Sequence, residues 1–231
     1  LKIGIICAME EELTSILQHL NLTCQINQEY GLVLQKAQYL QHELAFILSG
    51  IGKVNAAIHS QFMINQFNPD YVINVGVAGS LSPDLTFGDV VIANDLIQHD
   101  IDVAAFGIPL GQIPRMDVFA FSASEVLLQH AQTITGEGHK VVIGRIATGD
   151  QFIAYKDKAE FIHNNFQALA CEMEGAAIAH TCYLNKVPFI VVRALSDMAG
   201  REDVAIRSFN ELKQMTAARS SFIVKKLLGL I

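Results

Sequence analysis

Carboxylates collect where the apolar runs of this sequence end. Glu10-Glu11-Glu12 follow the run Lys2–Cys7, and Ser196-Asp197 follow Pro188–Leu195. Glu172 and Glu174 flank Met173 just ahead of Gly175. Another run closes in Gly149-Asp150-Gln151-Phe152-Ile153. Arg193 stands inside an otherwise apolar stretch, where a cation needs an anionic partner or ligand. Two carboxylates facing one cleft fit general acid–base hydrolysis. Phe152 beside Ile153, together with Met9 and Met173, would suit an apolar slot for a planar base.

Each of these residues also has a plainer reading. Glu10–Glu12 fit the first turn of a helix, where the dipole favours negative charge. Asp197 fits an N-cap or a turn. Met9, Met173 and Phe152 fit a core. Glu172 and Glu174 lie two apart, which on a helix puts them on different faces, one structural and one functional. Gly76-Val77-Ala78-Gly79 lacks the spacing of phosphate-cradling glycine loops. Its glycines read instead as a place where the backbone approaches a flat ligand closely.

The elements that would position these groups alternate. Short apolar runs predict strands at Lys2–Cys7, Gly31–Ala37, Leu44–Ser49, Tyr71–Val77, Asp89–Leu96, Val141–Ala147 and Pro188–Leu195. Helical patterns cover Glu10–Leu20, Val54–Phe67, Ser124–Thr135, Lys156–Asn165, Glu172–Leu184 and Ser208–Leu228. Gly76, Gly79 and Pro83 punctuate a predicted loop, and Asp100 to Phe121 is long and irregular. A loop of that length is usually functional or at an interface. The alternation implies an α/β fold with a largely central mixed sheet, ligands lying at the carboxyl ends of its strands.

The 231 residues show no internal boundary, so one domain over 1–231 is expected. Hydrophobic residues make up 51%, enough for a substantial core with apolar surface left for an interface. The net charge is −7 and the sixteen Lys and Arg are scattered, which argues against nucleic acid and anionic membrane surfaces as partners. Cys7, Cys24, Cys171 and Cys182 form no CxxC pair and read as reduced thiols, pointing to a reducing, cytoplasmic setting. The run Ile3 to Ala8 is too short for a signal-peptide core, and no run approaches the ~18 apolar residues of a membrane span.

With these residues in view, the sequence resembles the methylthioadenosine/S-adenosylhomocysteine nucleosidases of the nucleoside phosphorylase superfamily. The resemblance rests on Lys2–Ile6 with Ala8–Glu12, Ser49-Gly50-Ile51-Gly52-Lys53-Val54, Gly76–Gly79, His99-Asp100-Ile101-Asp102 and Ala105-Phe106-Gly107. Gly149–Ile153, Glu172-Met173-Glu174 and Arg193–Asp197 complete it, in order along nearly the whole chain. It implies a three-layer α/β/α domain around a twisted mixed sheet. The implied reaction is hydrolysis of the N-glycosidic bond of 5′-methylthioadenosine and S-adenosylhomocysteine, serving methionine salvage and methyl-cycle detoxification. By the same resemblance Glu12 polarises water, Asp197 protonates N7 of adenine, and Ser196 holds Asp197. Glu174 grips the ribose hydroxyls over Met173. Phe152 stacks on adenine, the main chain of Ile153 reads its edge, and Gly79 lies against the base or ribose. Arg193 supports the carboxylate cluster, and Glu172 counts among the substrate-binding residues. Met9, Ile51 and Phe209 wall the ribose and 5′-thio groups beside Val77 and Ala78. Val103, Phe106 and Pro114 would come from the second subunit of a homodimer and close the 5′ pocket. Neither a metal nor an organic cofactor is required. Many relatives carry Ser in place of Val77, which leaves substrate preference open, including tolerance for aminofutalosine-type nucleosides.

Three rivals define the alternatives. A purine nucleoside phosphorylase needs cationic residues for phosphate on the first loops, where this chain offers Glu10–Glu12 and only Lys53 nearby. A futalosine-type hydrolase is a second enzymatic rival. A non-catalytic adenosine sensor would need neither Glu12 nor Asp197.

Overall fold

Five of the six residues of β1 (Lys2–Cys7) are buried, and the strand lies in the middle of the sheet. Each buried Ile there contributes about 1.5–3 kcal/mol of burial. The computed structural model describes residues 1–231, except for the side chains of 202–208. After β1 come α1 (Glu10–Leu20), β2 (Gln25–Glu29), β3 (Leu32–Tyr39), β4 (His42–Leu48) and α2 (Lys53–Phe67). The chain continues through β5 (Tyr71–Ser80), β6 (Val90–Gln98), β7 (Phe121–Ser122), α3 (Glu125–Ala131) and β8 (Val141–Thr148). It ends with α4 (Lys156–Phe166), β9 (Ala170–Glu172), α5 (Gly175–Asn185), β10 (Phe189–Met198) and α6 (Glu202–Leu228).

The strands form one mixed ten-stranded sheet in the order β10-β6-β8-β9-β5-β1-β4-β3-β2, with β7 on β6. A further pairing of β10 with β5 curls one half of the sheet into a closed ring of β5, β10, β6, β8 and β9. Alternate residues of β1 feed two cores. Ile6 packs with α2 and α5, whereas Ile3, Ile5 and Cys7 pack with α1, α3 and α6. The sheet is thus a middle layer between two sets of helices, as expected for this α/β class.

Several boundaries differ from the sequence reading, and each difference moves a functional residue. β5 runs through Gly76 and Gly79 to Ser80, so these glycines are strand and not loop. β10 runs to Met198, so Ser196 and Asp197 lie within the strand and do not follow it. The three-residue β9 ends at Glu172 and α5 begins at Gly175, so Glu172 and Glu174 precede the helix instead of occupying it. β2 is a fully exposed polar edge strand without an apolar run to reveal it. α3 stops at Ala131, four residues earlier than its pattern suggests. The predicted start of the last helix, Ser208, lies among the residues whose side chains are outside the description.

The pairing of β10 with β5 contains one irregularity. Arg193 faces Gly76 and Leu195 faces Ala78, but Asp197, not Ser196, faces Gly79. One extra residue on β10 forms a bulge, which changes the alternation of side chains beyond it.

Candidate active site

Glu12 sits at the third position of α1 and reaches back over the helix start. Its Oε2 accepts from the N–H groups of Ala8 at 2.9 Å and Met9 at 3.0 Å. Its Oε1 accepts from the Val77 N–H at 3.1 Å. The helix-capping reading and the functional reading therefore describe one geometry: the cap holds the carboxylate at the carboxyl end of β1. Gly76 makes room for it, since a Cβ there would lie 2.5 Å from Glu12 Oε1. Burial pushes the Glu12 carboxyl up, opposed by the Arg193 charge and the three backbone N–H groups. Glu10 is exposed, and Glu11 pairs with Lys213 at 2.6 Å, as ordinary first-turn residues would.

Arg193 is 1% exposed and organises the floor. Its Nη2 donates to Glu172 Oε2 at 2.5 Å and to Asn74 Oδ1 at 2.6 Å, and its Nε donates to the same Glu172 oxygen at 3.2 Å. Glu172 also accepts from the Thr148 hydroxyl and from the N–H groups of Glu174 and Gly175. Its lone pairs are committed inward. Glu174 is held less completely: Oε1 accepts from the Gly52 N–H at 2.9 Å, while Oε2 stands 3.9 Å from Arg193. Burial and the neighbouring charge of Glu172 raise the Glu174 carboxyl to about 8. Three carboxyl groups thus share one guanidinium in a buried place, and with its carboxyl near 8 Glu174 holds a proton at neutral pH.

Asp197 lies across β5 from this cluster. Gly79 gives it space, because a Cβ there would approach Asp197 Oδ2 to 2.9 Å. The Ser196 hydroxyl donates to Asp197 Oδ1 at 2.9 Å. Burial raises the Asp197 carboxyl to about 6, against the lowering effect of Ser196. A carboxyl near that value can hold a proton and release it near neutral pH.

These groups line one cavity of about 410 Å³, the scale of a small-molecule site. Met9, Glu12, Ile51, Val77, Ala78, Gly79, Phe152, Glu172, Met173, Glu174, Ser196, Asp197 and Phe209 all contribute to its wall. Phe152 and Phe209 meet edge to face at 6.0 Å on its rim. Five residues singled out in the sequence do not line it. Arg193 lies behind the carboxylates, a support and not a wall. Ile153 is 4% exposed, and its carbonyl already accepts from the Gly200 N–H at 3.1 Å. Val103, Phe106 and Pro114 stand away from the cavity of their own chain; Phe106 is 83% exposed. Sequence reasoning passed over Ala8, Cys171 and Asn210, which also line the cavity. Cys171 pairs with Gly79 through β9, a strand too short to carry a pattern. Among the described residues no His, Cys, Asp and Glu group is arranged to hold a metal ion, and no Lys, Arg or His lines the cavity.

A sheet of this topology with a carboxylate-lined cavity at its strand ends defines the phosphorylase superfamily, which the chain matches over residues 2–229. Within that class, the chain belongs to the 5′-methylthioadenosine/S-adenosylhomocysteine nucleosidase family. It is 41% identical to the nucleosidase of that name from Staphylococcus haemolyticus, over 99% of this chain and 100% of the relative. Among solved structures, a Helicobacter pylori mutant with 5′-methylthioadenosine in the active site superposes with a TM-score of 0.94 at 37% identity, covering 100% of this chain and 99% of that one. A Helicobacter pylori chain described as futalosine hydrolase is similar to the same degree, with a TM-score of 0.94 at 38% identity and coverage of 100% and 98%. Among the described residues no helix is long and apolar enough to cross a membrane.

Proposed function

We propose that this protein, as one domain over residues 1–231, hydrolyses the N-glycosidic bond of 5′-methylthioadenosine and S-adenosylhomocysteine, giving adenine and the corresponding 5-thioribose. Cleavage of that bond leaves positive charge on the ribose and negative charge on the purine. The observation that carries the reading is the gathering of Glu12, Glu172 and Glu174 around Arg193 at one buried cavity, beside an acid poised at about 6. In this reading Glu12 stabilises the cationic sugar by preorganised charge, and Glu174 hydrogen-bonds the ribose hydroxyls. Asp197, oriented by Ser196, delivers its proton to N7, so adenine leaves neutral. Glu12 orients water and takes its proton as the C–O bond forms. Phe152 covers the base, and the main chain near Ile153 reads its edge. The activity would serve methionine salvage.

Phosphate fits this cavity poorly. Lys53 Nζ donates to Asp100 at 2.6 Å and to Gln98 at 3.1 Å, and Arg193 is taken up by Glu172. An anion approaching C1′ would meet Glu12 instead. We also propose a homodimer. Ile51 just before α2, and Val54 and Ile58 at its start, are 53%, 69% and 53% exposed, while the other face of α2 is buried in the core. A helix apolar on both faces needs a second cover. Exposed Phe106, with Val103 and Pro114, would then close the 5′ end of the partner's cavity.

The test is product analysis in phosphate-free buffer and again with phosphate. Free adenine and 5-methylthioribose under both conditions are expected; a sugar 1-phosphate or strict phosphate dependence would overturn the reading. The likeness to a futalosine hydrolase favours one second reading, in which futalosine-type nucleosides are the better substrates. Comparison of kcat/KM across both nucleoside types separates the two.

A further inference from the structure

Outside the cavity, three loops meet at a polar clamp that the reaction scheme leaves unused. Lys53 opens α2; its N–H donates to Asp150 Oδ1 at 2.8 Å and its Nζ to Asp100 Oδ1 at 2.6 Å. Asp100 Oδ2 accepts from the Asp150 N–H at 3.0 Å, which closes the triangle. Lys53 and Asp100 side chains are each 17% exposed, enough shelter for the pair to resist screening. The Lys53 contact holds the Asp100 carboxyl below its ordinary range against the opposing effect of burial. Beneath the clamp, His99 is buried with its Nε2 unpartnered and lies directly under Gly149, where a Cβ would clash at 2.3 Å.

None of Lys53, Asp100 and Asp150 lines the cavity, yet the loops of Lys53 and Asp150 each lead to a residue that does. Gly52, next to Lys53, donates its N–H to Glu174 Oε1 at 2.9 Å. Ile51 forms a wall, and Phe152 follows Asp150 by two residues. We propose that Asp100 is a positioning residue: by holding Lys53 and Asp150 together it fixes the Gly52 N–H that orients Glu174 toward the ribose. This rests on the nucleosidase reading for the ribose, but not for the placement of Gly52.

Two measurements test it, on Asp100→Asn and on Lys53→Met, which removes the ammonium and keeps the backbone bond to Asp150. The first is amide hydrogen exchange of the whole protein. Gly52 and Asp150, whose N–H groups the clamp places, are expected to exchange faster in both variants, while Ala8 and Met9, which hold Glu12, keep their protection. Unchanged protection at Gly52, or loss of protection throughout the sheet, overturns the proposal. The second compares kcat/KM for 5′-methylthioadenosine and for its analogues lacking a 2′- or 3′-hydroxyl. The variants should lose about ten- to a hundredfold on the full substrate, the scale of a small misplacement. They should lose much less on the deoxy analogues, because the orientation lost is the one that recognises hydroxyls. Equal losses on all substrates would make the clamp merely structural. A wild type that releases no adenine but shows the Gly52 effect would sink the nucleosidase reading and leave the clamp standing.

Discussion

The floor and the rim of the cavity are built by opposite means. On the floor, Glu12, Glu172 and Arg193 are each over-determined by several hydrogen bonds and almost wholly buried. On the rim, Ile51 and Phe152 are 53% and 45% exposed, and the segment carrying Phe106 stands clear of its own cavity. Preorganised charge acts only if it cannot relax, so the chemistry belongs where geometry is fixed. In the proposed nucleosidase, recognition of a 5′ substituent tolerates softer, apolar walls, part of which the proposed dimer would supply from the second copy.

Changing the charges on the floor would break this contrast most sharply. Glu12→Gln and Asp197→Asn preserve shape and remove, respectively, the base and the acid. Each should lower kcat by about 10²–10⁴-fold, with binding of 5′-methylthioadenosine retained; near-normal single-turnover rates would remove the residue from its role. Arg193→Met is expected next. It leaves Glu172 and Glu174 buried without their cation, a loss of about 3–5 kcal/mol of stability. Urea denaturation should show the loss to be larger on the alkaline side, where the carboxylates cannot escape by taking protons.

A third effect runs the other way. The Asp197 carboxyl is raised from 3.8 to about 6 by burial. Its favourable contribution to folding is complete below 3.8 and is lost as pH rises through about 6. Asn does not titrate, so Asp197→Asn should be more stable than the wild type above that range, by up to about 3 kcal/mol, and equal to it in acid. Melting temperatures across pH check this, and a variant less stable at alkaline pH would contradict it. On the rim, Phe106→Ser should leave kcat nearly unchanged and raise KM by about tenfold, with a weaker dimer by sedimentation. A kcat loss as large as that of Glu12→Gln would erase the distinction between floor and rim.

The floor was more legible in the sequence than its construction. β1, β5 and β10 announce themselves because strands covered on both faces are apolar throughout. That placed Glu12 and Asp197 near strand ends, and it marked Arg193 as a cation needing a partner. The partner was not legible: Glu172 reaches Arg193 from the three-residue β9, and a local pattern cannot reveal a strand so short. For the same reason Glu172 and Glu174 read as helical, although Glu174 is the residue that precedes α5. Gly76 and Gly79 read as places where the backbone nears a ligand; Gly79 does line the cavity, and both glycines also leave the space that Glu12 and Asp197 occupy. That is a long-range fact, invisible from spacing. On the rim, Phe152 was legible as an apolar wall for a planar base, whereas the role proposed for exposed Phe106 came only through resemblance, since nothing in its local pattern points to a second chain.

The bulge between Leu195 and Asp197 gives the site a property that no side chain supplies. Arg193 and Asp197 are four apart, and in a regular strand they would point to one face. The extra residue puts Arg193 opposite Gly76 and Asp197 opposite Gly79, positions on opposite faces of β5. The division between a buried cation that supports and an acid that reacts is therefore written as a count of residues. A relative could exchange many letters here and keep it, but one that lost a single residue from this stretch would have the same vocabulary with its meaning reversed.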